Sequence, residues 1–137
     1  MKLLTVCLAL VLATGSGWAA AQQTPSPQIT AETVPESDLA YPFRLFPTKH
    51  IWTFILLDTT NGQAWQVEYT LNGPGYKFPI NLRSFLPEGQ KPKNGRFTLY
   101  PTHNMYNFML LDREEATVWQ LQWSLKPENR GIINTIK

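Results

Sequence analysis

The chain has 137 residues, a formal charge of +2 and one cysteine. That length holds a single hydrophobic core once terminal segments are set aside, and so small and dispersed a charge gives no footing for nucleic acid or an anionic membrane surface as partner. Cys7 lies in the N-terminal apolar stretch, so the remainder of the chain excludes disulfide stapling, a catalytic thiol and a thiolate metal centre.

Lys2, the apolar run Leu3 to Ala13 and the small residues Ala19-Ala20-Ala21 have the form of a secretory leader, residues 1–21, cut after Ala21. The run is shorter than the roughly 20 residues of a bilayer span, and nothing later is longer, so no membrane span is expected. Cys7 sits inside the run rather than at its end, which argues against lipidation. Without Lys2 the balance is 11 basic to 10 acidic residues, and no Asn-x-Ser/Thr acceptor occurs. A periplasmic or secreted protein of a bacterial envelope is the expectation. Residues 22–40 are polar, rich in Pro, Ser and Thr and without period, as in a flexible linker. Within them Ile29 to Val34 is a candidate edge strand.

The remaining residues, 41–137, form one domain built of a repeat. Phe43 to Leu71 lies over Phe97 to Leu125 at an offset of 54 without a gap, and 11 of the 29 pairs are identical. Phe43 to Phe46 and Phe97 to Tyr100 read as short strands ended by Pro47 and Pro101. Ile51 to Asp58 and Met105 to Asp112 are apolar at nearly every position, which suits strands covered on both faces. Ala64 to Leu71 and Val118 to Leu125 alternate strictly, placing Trp65, Val67 and Tyr69, and Trp119, Leu121 and Trp123, toward a core. Asn61-Gly62 supplies a hairpin turn. The second copy has Ala116 in place of the glycine, so the two hairpins are expected to diverge there. Tyr76 to Leu82 and Gly131 to Ile136 are candidate fourth strands. The glycines, prolines and lysines of 83–95 mark an exposed connection.

The hairpin Leu57-Asp58-Thr59-Thr60-Asn61-Gly62-Gln63-Ala64-Trp65 resembles the L-D-x-x-x-G-x-x-W hairpin of β-propeller blades such as those of quinoprotein-like repeats. The resemblance covers about nine residues per copy and implies a meander with a tryptophan on its inner face. It carries no cofactor and no active site. A propeller has roughly four or more blades, and this chain has two such units.

The fold expected from these elements is all-β. Two similar antiparallel meanders, related by a pseudo-twofold axis, form one small sandwich or partly open barrel. The core would be Phe54, Leu56, Trp65, Val67, Tyr69, Phe108, Leu110, Trp119, Leu121 and Trp123. Nothing in the sequence points to catalysis. Asp58 and Asp112 end apolar strands at turns, where aspartate bonds nearby amides. His50 and His103 are not equivalent under the repeat and lack neighbours for a metal site. There is no nucleophile elbow and no phosphate loop. No cofactor is implied. Trp52 and Tyr106, at the rim of the apolar strands, are candidate ligand-binding residues. So is the polar face of Gln66, Glu68, Gln120 and Gln122. The expected function is a non-catalytic exported binding protein engaging another envelope protein, or alternatively a small-ligand or glycan-binding module using the rim aromatics. The uncharged strands 97–100 and 131–136 also suggest a homodimer through a sheet edge.

Overall fold

Alternating side chains and turn residues every few positions favour hairpins between neighbours in sequence, and each repeat folds that way. A computed structural model describes residues 39–137. The first sheet is the meander β1 (Phe43–Pro47), β2 (Thr53–Asp58), β3 (Ala64–Glu68) and β4 (Tyr76–Asn81). The second is β5 (Phe97–Pro101), β6 (Asn107–Asp112), β7 (Val118–Gln122) and β8 (Gly131–Ile136). In each sheet the strands lie in chain order and are antiparallel throughout. Both fourth strands are present, and Pro79 lies on β4, a sheet edge, where its missing N–H costs no ladder bond. The two sheets pack as a sandwich rather than a closed barrel.

Among the described residues there is no α-helix, only a 3-10 turn at Pro127–Asn129 and another at 39–40, and no helix is long and apolar enough to cross a membrane. The expected leader, the candidate strand Ile29 to Val34 and most of the expected linker lie outside the described residues. Its last two residues do not. The Ala40 carbonyl accepts from Asn94 Nδ2 at 3.1 Å, which ties the end of this segment to the connection between the sheets.

The two sheets do not meet as the expected twofold would require. In the first sheet Thr53, Ile55, Leu57, Ala64 and Gln66 share a face through the β2–β3 register, and all five are buried. In the second, the residues that turn inward are Phe97, Leu99, Phe108, Leu110 and Leu121. Shifted by 54 positions these are Phe43, Leu45, Phe54, Leu56 and Val67, which lie on the opposite face of the first sheet. The sheets therefore stack face to back. Phe97 and Leu99 are 0% and 4% exposed, whereas their counterparts Phe43 and Leu45 are 53% and 56% exposed.

Half of the expected core is thus corrected. Phe108, Leu110, Leu121 and Trp123 are buried, and Trp119 packs against them. Phe54, Leu56, Trp65 and Val67 are only half-buried, and Tyr69 is exposed. The physical reason is that β2 is apolar on both faces, so either can make a core. The face with the smaller side chains, Ala64 and Thr53, accommodates the aromatic face of the second sheet.

The connection 82–96 fastens the stack. The Phe85 ring lies parallel to Trp119 at 4.3 Å, its amide donates to the Asn61 carbonyl at 2.7 Å, and the Phe97 amide donates to the Thr59 carbonyl at 2.8 Å.

The two hairpins, expected to diverge, are closed alike. The Asp58 amide bonds the Gln63 carbonyl and the Asp112 amide bonds the Thr117 carbonyl, both at 2.9 Å. Ala116 adopts φ 55°, the same left-handed region as Gly62 at φ 80°. The ladder and the aspartate impose the turn whether or not a glycine is there. A side chain at 62 would meet the Phe85 ring at 3.0 Å and the Phe97 ring at 3.2 Å, so glycine is needed at that position for space as well as for φ. Ala116 is exposed and carries only the backbone cost, about 1 kcal/mol. Accordingly Ala116→Gly should leave stability unchanged or raise it by up to about 1 kcal/mol. Gly62→Ala should lower it by about 1–3 kcal/mol through strain and overpacking. Chemical denaturation of the two variants beside the parent checks both signs.

Candidate functional site

At one end of each sheet the loop before the second strand folds back over the end of the third, and the two repeats build this corner in the same way. Thr48 Oγ1 donates to the carbonyls of His50 and Thr53, and Thr102 Oγ1 donates to those of Asn104 and Asn107. The Tyr69 hydroxyl donates to the Ile51 carbonyl at 3.0 Å, and Trp123 Nε1 donates to the equivalent Met105 carbonyl at 2.8 Å. These bonds pin each loop and present Trp52 in one corner and Tyr106 in the other. Trp52 stands edge-on to Tyr69 with centroids 5.2 Å apart, and Tyr106 is tilted over Trp123 at 5.1 Å.

Each corner encloses a shallow open depression, of about 400 Å³ in the first repeat and about 370 Å³ in the second. His50, Trp52, Thr53, Glu68, Thr70, Leu71 and Asn72 line the first. The second has Asn104, Tyr106, Asn107, Gln122, Ser124, Leu125 and Lys126 at the same repeat positions. Four of the six candidates from the sequence, Trp52, Glu68, Tyr106 and Gln122, thus fall two by two into equivalent sites. The Gln122 amide nitrogen is held by the Asn129 carbonyl at 2.8 Å, which leaves its oxygen to accept.

The other two candidates lie elsewhere. Gln66 is fully buried, because the first sheet turns its Ala64–Gln66 face inward. Its amide nitrogen bonds Glu68 and its oxygen accepts from the Ser124 amide at 3.1 Å, so it ties one sheet to the other. Gln120 is half-buried on the outward face of the second sheet, with Nε2 on Asn107 Oδ1 at 2.9 Å.

One charged cluster was not foreseen. Arg96 and Asp112 form an ion pair with both side chains at most 2% exposed. Arg96 Nε lies 3.0 and 3.1 Å from the two carboxylate oxygens, and Nη2 lies 2.7 Å from Oδ2. Glu114, 3.2 Å from Nη1, and the Gln90 side chain complete its surroundings. The available signal was Arg96 standing where the first copy has Pro42. The cluster sits at the opposite end of the sheet from the depressions and is structural. Burial alone would raise the Asp112 carboxyl. The Arg96 hydrogen bond and then the Glu114 and Glu115 amides outweigh it and hold the group below the ordinary carboxylate value. Among the described residues Asp58 has no such cation and is held by Thr60 and Asn61 instead. His50 Nδ1 is 2.9 Å from Thr53 Oγ1, and among the described residues no group of three or more His, Cys, Asp or Glu is placed to hold a metal.

Because Asp112 is held below its unfolded value near 4, its pairing stabilises the fold above that pH and is lost as pH falls through the folded value. Asp112→Asn should cost about 3 kcal/mol at pH 7, the low end for breaking a buried pair because Glu114 still faces Arg96. The gap between parent and variant should be constant above about pH 5 and narrow below about pH 4, read by urea denaturation at stepped pH. A gap that widens on acidification would contradict the assignment.

No family model, no curated protein and no solved structure matches this chain.

Proposed function

We propose that the protein is an exported, non-catalytic carbohydrate-binding module with two sites, one per repeat. The observation that carries this reading is the equivalence of the two depressions. Seven lining positions coincide at the repeat offset, each set with an aromatic ring, an amide or carboxylate and a hydroxyl. Such a combination suits a sugar, whose C–H faces lie against an aromatic ring while its hydroxyls bond polar groups fixed around it. The bonds that pin Tyr69, Trp123 and Gln122 hold these corners before a ligand arrives, which lowers the ordering cost of binding. Both depressions are open and shallow, so affinity per site is weak and occupancy of two sites by one chain raises it.

The first site holds one carboxylate, Glu68, and the second holds Gln122 in its place. Hydrolysis of a glycosidic bond calls for a pair of carboxylates flanking it. Asp58 and Asp112 are committed to their turns. That inventory supports a module that holds glycans without cleaving them. An envelope protein as partner, the other class the sequence leaves open, would engage the outward sheet faces rather than these corners.

A glycan array followed by titration on tryptophan fluorescence tests the reading, since Trp52 and Trp123 each lie in or under one site. Trp52→Ala and Tyr106→Ala should each weaken binding at one site about tenfold, near 1.4 kcal/mol, and the double variant should abolish it. Glycan binding that survives in the folded double variant, or an array with no hit, removes the proposal.

A further inference from the structure

Each sheet has a second apolar face, and the two faces left outward are repeats of the two that meet inside. Outward on the first sheet are Phe43, Leu45 and Leu56, which correspond to Phe97, Leu99 and Leu110 of the second sheet's buried face. Outward on the second sheet are Met109, Leu111 and Gln120, which correspond to Ile55, Leu57 and Gln66 of the first sheet's buried face. The surface that the first sheet offers is the same in kind as the one the second sheet buries, and the converse holds on the other side. Phe43 and Leu45 on β1 and Tyr100 on β5 are about half exposed, while Leu56, Met109 and Leu111 beside them are half-buried. Apolar side chains exposed together mark an interaction surface, and within this chain each surface has its complement at the far end.

We propose that copies of this chain stack head to tail, the outward face of one second sheet covering the outward face of the next first sheet, and close into a ring. The partner is a second copy because the junction already exists inside the chain. Two of its polar links also have counterparts on the outward faces. The Phe97 amide donates to the Thr59 carbonyl at 2.8 Å, and the Ser124 amide donates to Gln66 Oε1 at 3.1 Å. Continued by one repeat, Phe43 of the neighbour donates to the Arg113 carbonyl and Thr70 of the neighbour to Gln120. Where the inner face has Gly62, Ala64 and Thr53, the outward face has the larger Ala116, Val118 and Asn107, so the neighbour's side chains must shift there. A face-to-back contact is heterologous, so it propagates until it closes. Radial arrays of four-stranded meanders close at about four to eight units, which two to four of these chains supply.

The test uses two variants, each blocking one face at a side chain that is about half exposed in the single chain: Leu45→Glu on the first sheet and Tyr100→Glu on the second. Circular dichroism and thermal unfolding establish that each is folded, and Phe43→Glu replaces the first should it fail to fold. Sedimentation velocity at about 10 µM should show the parent as one species of two to four chains and each variant as a monomer. Mixing the two variants should then give a one-to-one dimer that grows no further, because only one intact pair of faces remains. A monomeric parent, a parent-like oligomer that persists in both variants, as pairing through sheet edges would give, or a mixture that stays monomeric would each overturn the proposal. The outcome does not depend on whether a glycan binds.

Discussion

Face-to-back stacking of two meanders governs the rest of this structure. A sheet whose middle strand is apolar on both faces needs cover on both, and a chain with two such sheets can bury only one face of each. Ile55, Leu57, Ala64 and Ile80 from the first sheet join Phe97, Leu99, Phe108, Leu110, Leu121 and Trp123 from the second in a single cluster. The contributions are unequal. The first sheet brings small and aliphatic side chains and the second brings the rings. That inequality follows from using opposite faces of one repeated pattern, and it sets small side chains of one layer against the rings of the other.

Differences between the copies trace to this junction. Gly62 lies under Phe85 and Phe97, where a methyl group would collide, while Ala116 faces outward and keeps the same backbone turn. Trp123 is buried and Tyr69 is exposed, although both donate to equivalent carbonyls. Arg96 enters at the start of β5, where the connection from the first sheet turns in, and the buried carboxylate of Asp112 satisfies it. A buried pair of this kind adds little net stability over an apolar replacement. It penalises any arrangement that separates its members, and so favours one seating of the connection.

The two depressions owe their likeness to local structure and not to the junction. Threonine turns and a ring-to-carbonyl bond build each corner from residues within one repeat. Hence the corners match while the faces of the sheets differ in exposure. A surface feature that recurs because the local sequence recurs suits repeated binding of one ligand class. The outward sheet faces, alike in composition but opposite in orientation, suit association of the chain with itself.

The repeat, three strands of each copy and the hairpin positions were legible in the sequence, with the fourth strands as candidates. Each is set within a few residues, by alternation, proline placement and turn chemistry. Which face of each sheet became core was not legible. Trp65-Gln66-Val67 and Trp119-Gln120-Leu121 carry the same alternation, and hydrophobicity assigns the tryptophan side inward in both. That holds for the second copy and fails for the first, where Gln66 is buried and Trp65 lies under Lys77 on the outer face. Period two specifies that residues alternate between faces and leaves open which face meets another sheet. Only the tertiary arrangement decided it, because a face-to-back stack must bury opposite faces of equivalent strands. For the same reason Arg96 and Asp112 could be paired only in three dimensions: they meet across a β-ladder that ends at a junction no single repeat contains.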